Sequence, residues 1–178
     1  MTTRTGDTAS LLGRLQKEVS DWSEANFGDQ PDVNPLLGTG EEAGELADAL
    51  NLDAAPDEEE LDAVGDVLVY LADVCARRDL DLRSAYETAR DREPVHDEFF
   101  REWTAARGEF ERSVLKQRQG IRLDEDRVGG AAERTAAARM LCVLERFAEH
   151  RGYSLADCID CAWYDEVIDR EWESTYTN

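Results

Sequence analysis

Two stretches decide the fold: Pro35–Leu50, PLLGTGEEAGELADAL, and Glu58–Leu82, EEELDAVGDVLVYLADVCARRDLDL. Apolar residues in both recur at three and four positions, the period of one helix face, and no alternating run bounded by turn residues suggests a strand. Pro56 followed by Asp57 to Glu60 reads as a helix start, because proline is tolerated in a first turn and acids favour the positive end of the helix dipole. A helix over Asp57 to Arg77 then carries Leu61, Val64, Leu68 and Leu71 on one stripe. Working outward, a first helix is predicted from about Ser10 to Phe27, with Leu11, Leu15, Val19, Trp22 and Phe27 on its stripe. The run Gly28–Pro35, GDQPDVNP, breaks it, and a second helix begins near Leu36. The turn RRDLD leads into a short helix from Leu82 to about Arg92. The fold class expected is all-α, behind a flexible N-terminus over residues 1–9.

Beyond Pro94 the pattern starts again. A constant shift of 73 residues lays Ala63, Leu68, Leu71, Arg78, Leu82 and Ala89 on Ala136, Leu141, Leu144, Arg151, Leu155 and Ala162. RRDLDL at Arg77–Leu82 then meets HRGYSL at His150–Leu155. A shift of 64 places Gly44, Glu45 and Leu46 on Gly108, Glu109 and Phe110. Internal duplication accounts for this, with related helical halves at 10–93 and 94–178; two unrelated amphipathic helix pairs also align in this way. The first helix has no second copy.

The chain of 178 residues has 41 Asp plus Glu against 20 Lys plus Arg, a formal net charge of −21. Such a surface repels nucleic acid and anionic membranes, so neither is an expected partner. The acids are spread along the chain and the only lysines are Lys17 and Lys116, a distribution that fits a salt-adapted surface. With 42% apolar residues in periodic runs and four prolines, disorder is not the explanation of the charge. No apolar stretch reaches the roughly 20 residues of a membrane span, and the expected location is cytoplasmic. Cys158 and Cys161 form a CxxC, but no second pair or nearby His completes a zinc site, and helix packing is the expected role.

The chemistry-bearing pattern is EExxE at Glu41, Glu42 and Glu45, followed by Asp62 and Asp66 four apart. Positions three and four apart share a helix face. Two antiparallel helices would set these faces opposite each other, where like charges repel unless a cation sits between them. An all-oxygen cluster suits a hard ion, Mg²⁺ or Mn²⁺. An acid-rich chain also produces EExxE on a solvated face by composition alone.

These stretches, with LQKEVSDWSEANFGDQ at Leu15–Gln30, resemble the MazG-like all-α nucleoside triphosphate pyrophosphohydrolases, whose signature is EExxE, a spacer and ExxD. The match covers about Leu11 to Arg92, and LKQRQGIR at Leu115–Arg122 is similar to a segment some members place after their EExxE helix. The resemblance implies an antiparallel helical bundle and Mg²⁺-dependent cleavage of a nucleoside triphosphate to monophosphate and pyrophosphate, in a house-cleaning role. It places metal ligands at Glu42, Glu45 and Asp66. The Glu of ExxD falls at Ala63, so Asp62 is the candidate replacement. Glu41 or Asp62 would activate water; Lys116, Arg118 or Arg122 would hold phosphates; Trp22 and Phe27 would stack on the base. Family members assemble as dimers or tetramers, so the second half is expected to make a pseudo-dimer within the chain, with a homodimer as the further step. In that half Ala105, Ala106 and Arg139 replace Glu41, Glu42 and Asp66, which implies one metal site per chain. The alternatives are phosphoribosyl-ATP pyrophosphatase chemistry, a degenerate member that binds nucleotide or a partner without turnover, and an unrelated helical interaction protein.

Overall fold

The computed structural model describes residues 5–89, 98–121, 130–168 and 170. They form α1 (Thr5–Phe27), α2 (Val33–Ala49), α3 (Glu58–Arg77), α4 (Leu82–Ala89), α5 (Phe99–Arg118), α6 (Gly130–Arg151) and α7 (Leu155–Ile159), which runs on into a π-helix over Asp160–Val167. The described residues contain no strand, as the apolar period requires. None of the described helices is long and apolar enough to cross a membrane. The expected boundaries at Arg92 and between residues 93 and 94 lie outside the described residues.

Local chemistry sets the helix ends. Gly28 takes a left-handed φ of 63° and stops α1. The break is shorter than expected, because Pro35 sits inside the first turn of α2, where an amide proton would have no helical partner anyway. Pro56 lies before α3 and not in its first turn; Asp57 is the N-cap, and its side chain accepts the Glu60 amide at 3.0 Å.

A single hydrophobic cluster draws on every helix. Its axis is α3, whose Val64, Val67, Leu68, Leu71, Ala72 and Val74 are buried between α1, α2, α7 and the π-helix. At Gly65 an added Cβ would run into the Cys158 carbonyl and the Ala162 methyl, so this glycine sets how closely α7 and its π-helical extension approach. Cys158 is buried at that contact; Cys161 is half-buried with its Sγ 3.8 Å from the Glu58 carbonyl oxygen. Both are free thiols.

The two sequence halves do not keep their helices to themselves. α4 packs on α6, and α7 packs on α3. Polar contacts follow the same exchange: Arg78 forks onto Glu133 at 2.9 and 2.6 Å, and Arg151 forks onto Glu60 at 2.7 and 2.6 Å. Shifting Arg78 by 73 gives Arg151, and shifting Glu60 by 73 gives Glu133. The turns at the ends of α3 and α6 obey the same shift. Asp79 and Gly152 are both left-handed, the Leu80 and Tyr153 amides reach back to Cys75 and Ala148, and Asp81 and Ser154 cap α4 and α7.

Candidate functional site

On α2, Gly38 lies directly beneath the Tyr70 ring of α3, where a Cβ would collide with it. One turn further along α2 and one turn back along α3, Asp66 is the charge that acts most strongly on Glu42. The two helices are therefore antiparallel, and the absent Cβ at Gly38 lets them approach. Glu42 and Asp66 are half-buried, as is Asp62, while Glu41 and Glu45 are exposed.

Burial first, then Asp66, Glu45, Glu41 and Asp62, pushes the Glu42 carboxyl up to about 8. Asp66 is pushed up to about 7 by burial, Asp62, Glu166 and Glu45, with Arg170 pulling the other way. Asp62 rises for the same kinds of reason, burial leading and Glu166 next. Among the described residues none of the five carboxylates has an ion-pair or hydrogen-bonding partner. Asp73, further along the same face of α3, is treated differently: Arg77 Nε holds it at 2.8 Å and the Ser23 hydroxyl at 2.8 Å. Ala63 is only 7% exposed and belongs to the core, while Asp62 is the acid one turn from Asp66.

Three of the five predicted acids line a cavity of about 660 Å³, and Glu45 and Asp62 do not. Glu41, Glu42 and Asp66 line it together with Trp22, Phe27, Tyr70, Gln30 and Asn34, and Val167 and Arg170 come from the C-terminal end. Phe27 leaves the expected buried stripe: it is 46% exposed and meets the Trp22 ring edge-on, with centroids 5.5 Å apart. Trp22 also meets Trp163 edge-on and donates its indole proton to the Arg170 carbonyl at 3.0 Å.

No family model matches the chain, nor does any curated protein or solved structure. The site is therefore read from its own geometry. Lys116 and Arg118 are not brought to the acids; they line a separate cavity between α2 and α5 with Leu36, Leu37 and Leu115. Arg118 is bound there to Asp32 at 2.8 Å, and Lys116 donates to Gln119 at 3.3 Å. Arg122 lies outside the described residues.

At the corresponding place in the second half, Arg139 donates to Glu109 and Glu102, each at 2.9 Å. Arg139 corresponds to Asp66 and Glu109 to Glu45. That half carries its own cation, where the first half faces carboxylate with carboxylate. Sequence reasoning missed Tyr70, Glu166 and Arg170. The i, i+4 spacing of Glu166 and Arg170 was their one signal, and it points to an exposed ion pair rather than to a site.

Among the described residues no three Asp, Glu, His or Cys side chains stand as a ready-made metal shell. The fit to a metal rests on donor chemistry. Half-buried carboxylates that no described cation pairs with directly, all of them hard oxygen donors, suit a divalent cation such as Mg²⁺ or Mn²⁺ and not zinc.

Proposed function

We propose that the chain is a Mg²⁺-dependent nucleoside triphosphate pyrophosphohydrolase of the MazG-like kind, with Mn²⁺ as an alternative ion. The observation that carries this reading is the pair Glu42 and Asp66, held half-buried against each other without a partner at the wall of an aromatic cavity. Unpaired charges in such a position destabilise a fold, and proteins retain them where a ligand supplies the compensation. Glu42, Glu45, Asp62 and Asp66 would hold the ion, Asp62 replacing the oxygen absent at Ala63. When bound, a divalent ion neutralises triphosphate oxygens and lowers the pKa of water.

The chain's own residues would do the rest. Trp22, Phe27 and Tyr70 offer flat apolar surface to a base, beside the Gln30 and Asn34 amides, of which Asn34 donates to the Gln30 side-chain carbonyl at 3.1 Å. Glu41, exposed at the cavity wall, would take the proton of the attacking water as its oxygen bonds to the α-phosphorus. The bond from that phosphorus to the bridging oxygen breaks, and pyrophosphate leaves. The reciprocal packing of α4 and α7, and the paired Arg78–Glu133 and Arg151–Glu60 bridges, support reading the chain as a duplicated pseudo-dimer whose second half lost its cation site to Arg139.

The test is incubation of the purified protein with dNTPs and NTPs in concentrated KCl with Mg²⁺ or Mn²⁺, scoring pyrophosphate against orthophosphate. Glu45→Ala should lose at least tenfold in rate, about 1.4 kcal/mol. Wild-type protein that releases no pyrophosphate from any nucleotide sinks the enzymatic reading. Ala63 favours a second one, a catalytically degenerate member that binds nucleotide without turnover. Calorimetric nucleotide binding in the absence of pyrophosphate release would establish it.

A further inference from the structure

Among the described residues Arg170 is the one cation lining the acid-walled cavity, where Glu41, Glu42 and Asp66 also stand. Its guanidinium is engaged by Glu166, Nη2 to Oε2 at 2.8 Å, in an ion pair that is about half exposed on both sides and so weakly held. Its backbone is fixed independently, since the Trp22 indole donates to the Arg170 carbonyl at 3.0 Å. The π-helix leading to it is fastened to α1, where Glu18 accepts from the Trp163 indole at 3.1 Å and from the Tyr164 hydroxyl at 2.9 Å. A long cationic side chain thus hangs from an anchored main chain, beside carboxylates that have no other counter-charge among the described residues.

We propose that Arg170 is the phosphate-contacting residue of this cavity, and that Glu166 holds it in reserve until a divalent cation occupies the carboxylates of α2 and α3. The inference rests on reading that acid cluster as a cation site. The physical logic is an exchange of counter-charges. Without the ion, the guanidinium is the positive charge that, among the described residues, acts on Asp62 and Asp66 and pairs with Glu166. Asp62 and Asp66 would be taken over by a bound ion, whose charge would repel the guanidinium from beside them. The displaced guanidinium then faces the cavity, where the oxygens of an organic polyphosphate offer it a bidentate partner. The ligand class is a nucleoside di- or triphosphate carrying its own metal.

Two binding measurements on the full chain test this, and neither depends on turnover. Free Mn²⁺ is followed by electron paramagnetic resonance without nucleotide, and an α,β-methylene nucleoside triphosphate analogue is titrated in saturating Mg²⁺ by tryptophan fluorescence. Arg170→Ala should bind Mn²⁺ about threefold or more tighter, because a competing charge is gone, and the analogue about tenfold or more weaker. Arg170→Lys should restore part of both effects, and Glu166→Gln should strengthen analogue binding in the absence of metal. A merely structural role would move both affinities in one direction. Unchanged affinities, or parallel weakening, in a protein whose wild type binds both probes overturns the role of Arg170 alone. Wild-type protein that binds neither probe overturns the cation site, and the inference with it. The Trp22 bond ends on the backbone, so Arg170→Ala keeps it and should leave the unfolding midpoint in place.

Discussion

Glu42 and Asp73 show how differently one surface can treat two carboxylates. Asp73 is paid back for its burial by Arg77 and Ser23, whereas the charged neighbours that act on Glu42 are all acids and those of Asp66 are three acids against Arg170 alone. Ionising Glu42 or Asp66 therefore opposes folding. The stability each contributes is complete below the ordinary carboxylate range and is lost as pH rises through about 7 for Asp66 and about 8 for Glu42. In the absence of divalent ions the thermal midpoint should peak in mildly acidic buffer and fall toward pH 9. Glu42→Gln and Asp66→Asn should flatten that fall, and Mg²⁺ should reverse it in wild type only; a flat wild-type profile would refute the account. Ala63→Glu, which would complete ExxD, should cost about 2 kcal/mol or more in a midpoint measurement, since it puts a carboxylate into the core. The acids were legible in the sequence because four-residue spacing fixes which side chains share a face. Phe27 and Lys116 were not, because one apolar residue or one cation does not say which surface it will meet.

At the scale of elements, the close approaches are made by glycine. Gly65→Ala should destabilise by about 1–3 kcal/mol, because the new methyl must displace the Cys158 carbonyl or Ala162. Gly44→Ala on α2 meets nothing within 4 Å and should raise stability by up to about 1 kcal/mol. Chemical denaturation of the two variants measures both signs, and like signs would contradict the packing described. The helices themselves were legible from their period, and α3 begins within one residue of the expected position. The π-helix at Asp160–Val167 was not. It lies against α3 and is bonded to α1 through Glu18, and a helical repeat carries no mark of either.

For the whole molecule, two buried charge pairs tie the halves together. Glu133 and Glu60 have side chains 1% and 3% exposed, so Arg78→Met and Arg151→Met each leave a buried acid without its main counter-charge. Each should cost about 2–4 kcal/mol in denaturant unfolding. The bridges share no residue, so the double variant should lose close to the sum; loss of one bridge without effect would remove it from the account. The net charge of −21 bears on the same scale. Raising KCl from about 0.1 M to about 2 M should lift the midpoint, because screening at about 1 M reaches within roughly 3 Å.

The exchange of α4 and α7 also orders events in time. A ribosome releases the acids of α2 and α3 first, yet the face of α3 around Gly65 stays uncovered until α7 has been made, and among the described residues the cavity gains its cation only when Arg170 follows. A nascent chain stalled short of that point carries the carboxylates with neither their cover nor their counter-charge. Such a product is poorly folded and open to proteolysis, so synthesis through residue 170 becomes a condition for having the site at all.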